Sequence, residues 1–387
     1  MRVIFSLILV TLLIGCGKSA SDDNYSRMFQ TGVFNTEAAP SQLSKVTWTY
    51  SADHPITSKP LVTNDTAFVI TNQTVAAVDI KSGDERWIFN TSGIPSEPVS
   101  IGKHLIIADD EYVYGLNPNS GKVAWRYEFK FKANAGQEKQ YQHRILDFNA
   151  SSVIVKDQLG LTALDAGTGK ELWKIDDGTP ISSATIVNDT LYLAVDTELW
   201  KVEAATGNII DQNSLFTDYG PPVPMMSYGE ILIGRFPFGK VVAYNLKEQE
   251  TIWESQSNEK DWADHRISVF NDVVLAIDTN SGTLGAIDLK AGKSNWKLQV
   301  GNQEVSKYSK ATLTGPAIAG DYIYIGAYDG PDKQTTAPMY SNLVCIDRHT
   351  GKELWKYRVD EFIEQPPVVM DGTVYVVTQR NSLVALE

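Results

Sequence analysis

The nine residues Asp165-Ala166-Gly167-Thr168-Gly169-Lys170-Glu171-Leu172-Trp173 constrain this chain more than any other stretch. Ala163-Leu164-Asp165 closes a short apolar strand, a Thr-Gly pair supplies a turn, and Glu171-Leu172-Trp173 opens the next strand. Gly169 can take the positive φ that a side chain resists, and the tryptophan brings a large ring to bury.

The spacing D/N-x-x-x-G-x-x-x-W recurs at Asp79…Gly83…Trp87, Asn117…Gly121…Trp125, Asp165…Gly169…Trp173, Asp288…Gly292…Trp296 and Asp347…Gly351…Trp355. Asn245…Gln249…Trp253 keeps the Trp without the Gly, and Glu203…Gly207…Asp211 keeps the Gly without the Trp, which makes seven units. An eighth is divided between the chain ends. Ala385-Leu386-Glu387 ends as the front half of a unit does, and Trp48 supplies the back half. Counting Trp48 and Asp211, the steps are 39, 38, 48, 38, 42, 43 and 59 residues. A period near 40 with four short strands per unit signifies a β-propeller. The expected fold is therefore all-β: one eight-bladed propeller over residues 46–387, each blade a four-stranded antiparallel sheet. An N-terminal strand completes the last blade, which leaves no free sheet edge between last and first.

With those residues in place, the repeat resembles the tryptophan-docking repeat A-x-D-x-x-T-G-x-x-x-W of the pyrroloquinoline-quinone (PQQ) type propellers. Its Ala position is matched by Ala77, Ala163, Ala243, Ala286 and Ala385, with Gly115, Lys201 and Cys345 as substitutes. The resemblance implies the fold. It leaves function open, because that family includes both quinoprotein dehydrogenases and cofactor-free scaffolds.

Residues 1–15 read as a lipoprotein signal peptide: Arg2, then an apolar run of eleven residues from Val3 to Leu13, too short to cross a bilayer. Leu13-Ile14-Gly15-Cys16 resembles the bacterial lipobox. That implies cleavage before Cys16, lipidation of its thiol and, with Gly17 rather than Asp following, sorting to the outer membrane. Residues 16–45 then form a lipidated Cys and a flexible tether. Its 28 residues from Gly17 to Ser44 reach about 90–100 Å extended and average roughly 30 Å as a coil.

The formal net charge is −13, and removal of the signal peptide leaves 33 Lys and Arg against 47 Asp and Glu, or −14. Such an acidic body argues against nucleic acid and the anionic faces of lipids as partners. With Cys16 lipidated, Cys345 has no partner for a disulfide. At the small-residue position of its repeat it reads as a buried structural thiol. Asn64, Asn72, Asn90, Asn149 and Asn188 begin Asn-x-Ser/Thr triplets and read as turn formers.

Naming the strands of a blade A to D, the A–B and C–D turns lie on one face, while the B–C loops and the D–A connections share the other. The Thr-Gly turns pave the first face. The insertions at 129–144, 301–312 and 328–340, and the segments 215–222 and 260–266, all emerge on the second, which makes it the expected working face.

The residues of redox or hydrolytic chemistry are missing from recognisable patterns. There is no adjacent cysteine pair, no Cys-x-x-Cys-His, no phosphate loop, and the five His are scattered without metal-ligand spacing. His349 lies in a repeat turn and His104 at a strand start. Asp109-Asp110 and Asp176-Asp177 read as solvated turn carboxylates. No catalytic residue, metal or cofactor is expected.

A lipobox, a tether and a propeller of this length together resemble the scaffold lipoproteins of the outer-membrane β-barrel assembly machinery. The resemblance implies a non-catalytic scaffold, anchored in the outer membrane on its periplasmic side. Its expected partners are the barrel-inserting subunit, met through inter-blade loops, and nascent barrel strands. One contact loop of that family carries an Asp-Arg-x-Ser stretch. Asp264-His265-Arg266-Ile267-Ser268 matches it in part, with an added His, and Trp262 beside it lies outside the repeat positions. The segment from Tyr219 to Pro222 takes the place of the other loop. The partner-binding candidates are thus Asp264, Arg266, Trp262, Tyr219 and Pro221. A PQQ-dependent dehydrogenase-like activity, or a small ligand in the central channel, is the alternative.

Overall fold

The computed structural model describes residues 33–34, 39–63, 65–129, 144–156, 160–176, 181–215, 220, 222, 225–236, 240–255, 267–270, 272–278, 282–301, 313–328 and 340–387. Every regular element among them is a β-strand, and the strands form eight sheets, each with four antiparallel strands in the order A-B-C-D, that of blade seven carrying one further strand in parallel. Blade one consists of Leu61–Val62, Thr66–Ile70, Thr74–Asp79 and Glu85–Asn90. Blades two to seven repeat it over 99–128, 144–176, 181–213, 225–254, 267–299 and 317–359. Blade eight takes Val368–Met370, Thr373–Thr378 and Ser382–Leu386 from one end of the chain and Val46–Ser51 from the other. The expected eight-bladed architecture is the observed one.

Strand position decides composition. Thr66–Ile70, a B strand, is buried throughout because neighbouring blades cover both its faces. Glu85–Asn90, a D strand at the outer rim, alternates exposed and half-buried residues. At the closure Trp48 pairs with Ala385 and Val46 with Leu386. The N–H groups of Ser44 and Lys45 donate to the Glu387 carbonyl at 2.6 and 2.8 Å, so the two chain ends share one hydrogen-bonded junction.

The tryptophans hold the blades to one another. Six of the seven repeat indoles donate through Nε1 to a backbone carbonyl in the C–D turn of the following blade: Trp48 to Ile80 (2.7 Å), Trp87 to Pro118 (2.9 Å), Trp125 to Ala166 (3.1 Å), Trp173 to Ala204 (2.9 Å), Trp253 to Leu289 (2.7 Å) and Trp296 to Arg348 (3.1 Å). The ring lies flat on the turn glycine. A Cβ on Gly83, Gly121, Gly169, Gly207, Gly292 or Gly351 would stand only 2.3–2.9 Å from indole carbons. Gly169 also has φ +68°, so it is required twice, by space and by backbone. Within its own blade the tryptophan sits opposite a small residue of strand C: Ala77 beside Trp87, Gly115 beside Trp125, Ala163 beside Trp173, Ala243 beside Trp253, Ala286 beside Trp296 and Cys345 beside Trp355. The ladder slips by one residue just before each of these tryptophans, as at Arg86 and Leu172. Such a bulge adds twist and turns the ring toward the next blade. The first residue of the motif closes the turn from within, as Asp165 Oδ1 accepts the N–H and the hydroxyl of Thr168 at 2.8 and 2.6 Å.

The two irregular units are complementary. Blade four has Asp211 where a tryptophan would dock on the turn of blade five, and that turn carries Gln249 instead of glycine, at φ +58°. Lys201 takes the small-residue position opposite Asp211, and its Nζ lies 3.8 Å from the carboxylate. Trp355 has no such turn ahead of it, because the chain ends interrupt blade eight at that point. Among the described residues its buried Nε1 has no hydrogen-bond partner.

Part of the segment expected as a flexible tether lies on the ring. Val33–Phe34 forms a short strand running parallel to strand A of blade seven, Ala317–Ala319, and further on Leu43 is buried in the core beneath blades seven, eight and one. Asn188 holds a turn at φ +54°, and Asn149 Oδ1 accepts the N–H groups of Ser151 and Ser152 at 3.0 and 2.8 Å. Asn90 differs from expectation by ending a strand, and Asn64 lies outside the described residues.

Two comparisons test the docking geometry by urea unfolding. Trp173→Phe removes a buried hydrogen bond and should destabilise by about 1 kcal/mol more than Trp355→Phe, which removes an N–H that has no partner. Gly169→Ala should cost well over about 1 kcal/mol, whereas Gln249→Gly should stay within about 1 kcal/mol of the parent, since it relieves a positive φ and meets no indole.

Candidate functional site

The face of the B–C loops and D–A connections is the candidate surface. Asn213 ends strand D of blade four and Met225 begins strand A of blade five; Glu254 ends blade five and Ile267 begins blade six. The two segments chosen from sequence are therefore the connections on either side of blade five, on one face. Tyr219, Pro221, Trp262, Asp264 and Arg266 themselves lie outside the described residues, as do Cys16 and nearly all of the insertions at 129–144, 301–312 and 328–340. Their flanks are held: the Ser182 hydroxyl donates to the Pro222 carbonyl at 3.1 Å, and the Met225 N–H donates to Ser183 Oγ at 3.0 Å. Ser268, the last residue of the partial motif, is buried in strand A of blade six.

On the same face, between blades one and two, lies a polar recess of about 380 Å³ lined by Asn72, Gln73, Asn90, Thr91, Ser92, Gly93, Ile94 and Asp110. The loops that line it are tied down. Asp109 is fully buried and its carboxylate accepts the N–H groups of Ser92, Glu111 and Tyr112 at 2.8–2.9 Å. A Cβ on Gly93 would fall 2.0 Å from Asp110 Oδ2, so any larger residue there would require the Asp110 carboxylate to turn aside. Reading Asp109 as a solvated turn carboxylate thus fails. It is a pin between the B–C loop of blade two and the D–A connection before it, and adjacent acids in a turn give no sign of which one faces inward.

Other titratable groups are in structural service. Cys345 is fully buried, and burial, reinforced by the nearby Asp347 charge, pushes its thiol up to about 12. A thiol held protonated is a poor nucleophile, in keeping with the structural role expected of it. The His104 ring is buried, and desolvation lowers its pKa. His349 lies in its repeat turn with Nε2 3.1 Å from Asp321 Oδ1. Trp200, which the repeat spacing passes over, is a second tryptophan outside the docking positions. It is buried in the core shared by blades three and four, with Nε1 donating to Glu198 Oε2 at 2.7 Å. Among the described residues no group of three or more His, Cys, Asp or Glu could hold a metal ion, and no helix is long and apolar enough to cross a membrane.

A family model described as outer membrane protein assembly factor BamB matches residues 41–160, 110–338 and 332–387. Among curated proteins, the chain is similar to the outer membrane protein assembly factor BamB of Moranella endobia, 24% identical over 255 residues, 61% of this chain and 62% of that protein. It is also similar to the tetrathionate hydrolase of Acidithiobacillus ferrooxidans, 22% identical over 302 residues, 71% of this chain and 55% of that protein. The chain thus spans less than two thirds of the length of these relatives. Among solved structures, BamB from Moraxella catarrhalis aligns with a TM-score of 0.62 at 15% identity, over 89% of this chain and 97% of that one. A quinohemoprotein alcohol dehydrogenase from Comamonas testosteroni aligns with a TM-score of 0.66 at 13% identity, over 93% and 79%. At such identities the structural likeness shows the fold alone.

The buried acids set an alkaline limit on stability. In the folded chain burial holds the Cys345 thiol and the Tyr375 phenol protonated up to about 12. The unfolded chain releases those protons near about 8.5 and 10. Stability from both groups is therefore complete below those values and falls as the pH rises toward 12. Urea unfolding between pH 7 and 11 should show this decline, and Cys345→Ala should make it shallower while leaving stability at pH 7 nearly unchanged.

Proposed function

The chain belongs to the family of the outer membrane protein assembly factor BamB, and from that premise we propose that it is a non-catalytic scaffold of the outer-membrane β-barrel assembly machinery. The observation that carries this reading is the family match, which runs through all eight blades. The lipobox ending at Cys16 supports a lipid anchor in the outer membrane, with the propeller on the periplasmic side. The partner is the barrel-inserting subunit, met by the two connections flanking blade five through Tyr219, Pro221, Trp262, Asp264 and Arg266. Nascent barrel proteins are a second class of client. A ring whose blades are locked by indole docking suits such a role, since it presents loops at fixed separations without reorganising on binding.

Crosslinking and pull-down of the lipidated protein from native membranes, followed by mass spectrometry, should recover an outer-membrane barrel protein with periplasmic domains. Asp264→Ala combined with Arg266→Ala should reduce that recovery about tenfold or more, as expected for truncating a charge pair at an interface, with the unfolding midpoint unchanged. Full recovery by a folded double variant would move the contact site elsewhere on the ring.

The tetrathionate hydrolase relative supports a second, enzymatic reading. Turnover of tetrathionate by the purified protein, together with a pull-down that returns no barrel protein, would favour it.

A further inference from the structure

We infer that the central channel of this propeller is a binding site for a segment of the chain's own N-terminal tether (the leader), held through Val33–Phe34 by strand addition at the inner edge of blade seven. Blades pack against one another through side chains, so every A strand turns one row of N–H and C=O groups toward the channel. Such an edge can accept another strand. In blade seven that edge is paired: Val33–Phe34 makes the sheet five-stranded, with Val33 beside Ile318 and Phe34 beside Ala319 in parallel register. The same two residues lie against the inner strands of blades six and eight, Ile267–Phe270 and Val368–Met370, which places them within the channel and not on the rim.

The following residues hold the leader in place. The buried Tyr324 hydroxyl donates to the Pro40 carbonyl at 2.7 Å. Ala39 packs against the main core, 3.8 Å from where a Cβ on Gly320 would stand. Leu43 is buried, and Ser44 and Lys45 bond to Glu387. A two-residue strand offers few hydrogen bonds, each worth only about 0.5–1.5 kcal/mol. Here it is tied to an anchored point five residues away, so its pairing is intramolecular and operates at an effective concentration on the order of millimolar.

Direction follows from register. Strand A of each blade runs from the face of the B–C loops to the face of the Thr-Gly turns, and the leader strand is parallel to it. Val33–Phe34 therefore points from the B–C loop face toward the Thr-Gly turns. If the lipid anchor proposed above holds, Cys16 lies 17 residues before Val33, a reach of about 55–60 Å. The strand placement itself does not depend on the anchor.

Hydrogen exchange of the full-length lipidated protein tests this. In the parent, the amides of the Val33–Phe34 strand and of Ala317–Ala319 should exchange at least tenfold more slowly than free chain. Val33→Pro with Phe34→Pro, which removes two donors, should deprotect Ala317–Ala319 and leave blades one to five unchanged. A parent leader that exchanges at free-chain rates, or prolines that leave Ala317–Ala319 as protected as before, overturns the inference. As an independent check of position, Phe34→Cys with Ala319→Cys should form a disulfide on mild oxidation. A disulfide formed instead with Ser100→Cys, on the inner strand of blade two, would also overturn it. Partner recovery is measured separately, so a failed pull-down leaves these readouts intact.

Discussion

An indole lying on a glycine of the next blade is the contact on which this molecule depends. It joins two residue types that the chain places in different units, the Trp of one strand D and the Gly of the following turn. It then closes each joint with a hydrogen bond to a carbonyl of that turn. The requirement is reciprocal, and the irregular blades display it: where blade four has no indole to offer, blade five has no glycine to receive one. The Lys201–Asp211 pair occupies the place that a small residue and a tryptophan hold elsewhere. At Trp355 the opposite case arises, an indole whose receiving turn is broken by the chain ends, and its N–H stands alone among the described residues.

Rigidity of this kind separates two faces by physical role. The Thr-Gly face is consumed by docking, since its turn carbonyls are acceptors for indoles and its acidic side chains close the turns that bear them. The opposite face is free of that duty. Its connections vary in length, its polar recess between blades one and two is lined by short side chains over a fully buried carboxylate, and the connections on both sides of blade five emerge there. A surface that can change without loosening the ring suits the docking of partners. The closure serves the same end, because joining both chain ends in blade eight leaves the leader beside blade seven and the channel.

Much of this was legible in the residues alone, and for a local reason. Blade number, the closing strand, the docking tryptophans and the small residues opposite them all follow from chemistry repeated within about ten residues, which periodicity exposes. The candidate loops were placed on a common face by strand alternation, and their flanking strands agree with that placement. Other features carry no such signal. Asp109 and Asp110 are neighbours of one type, yet only the packing of the preceding connection sends the first one inward. Trp200 looks like a spare aromatic until the core of blades three and four closes around it. The partner of each indole lies 31 to 52 residues ahead, and only the ring brings them together. The polar segment before residue 45 reads as a tether because it has no periodic apolar face. Its seat beside Ala317–Ala319 is made by backbone hydrogen bonds, which any sequence can form and no composition announces. Periodic side-chain chemistry was therefore determined by the sequence, while contacts between distant backbone groups were decided by the tertiary structure.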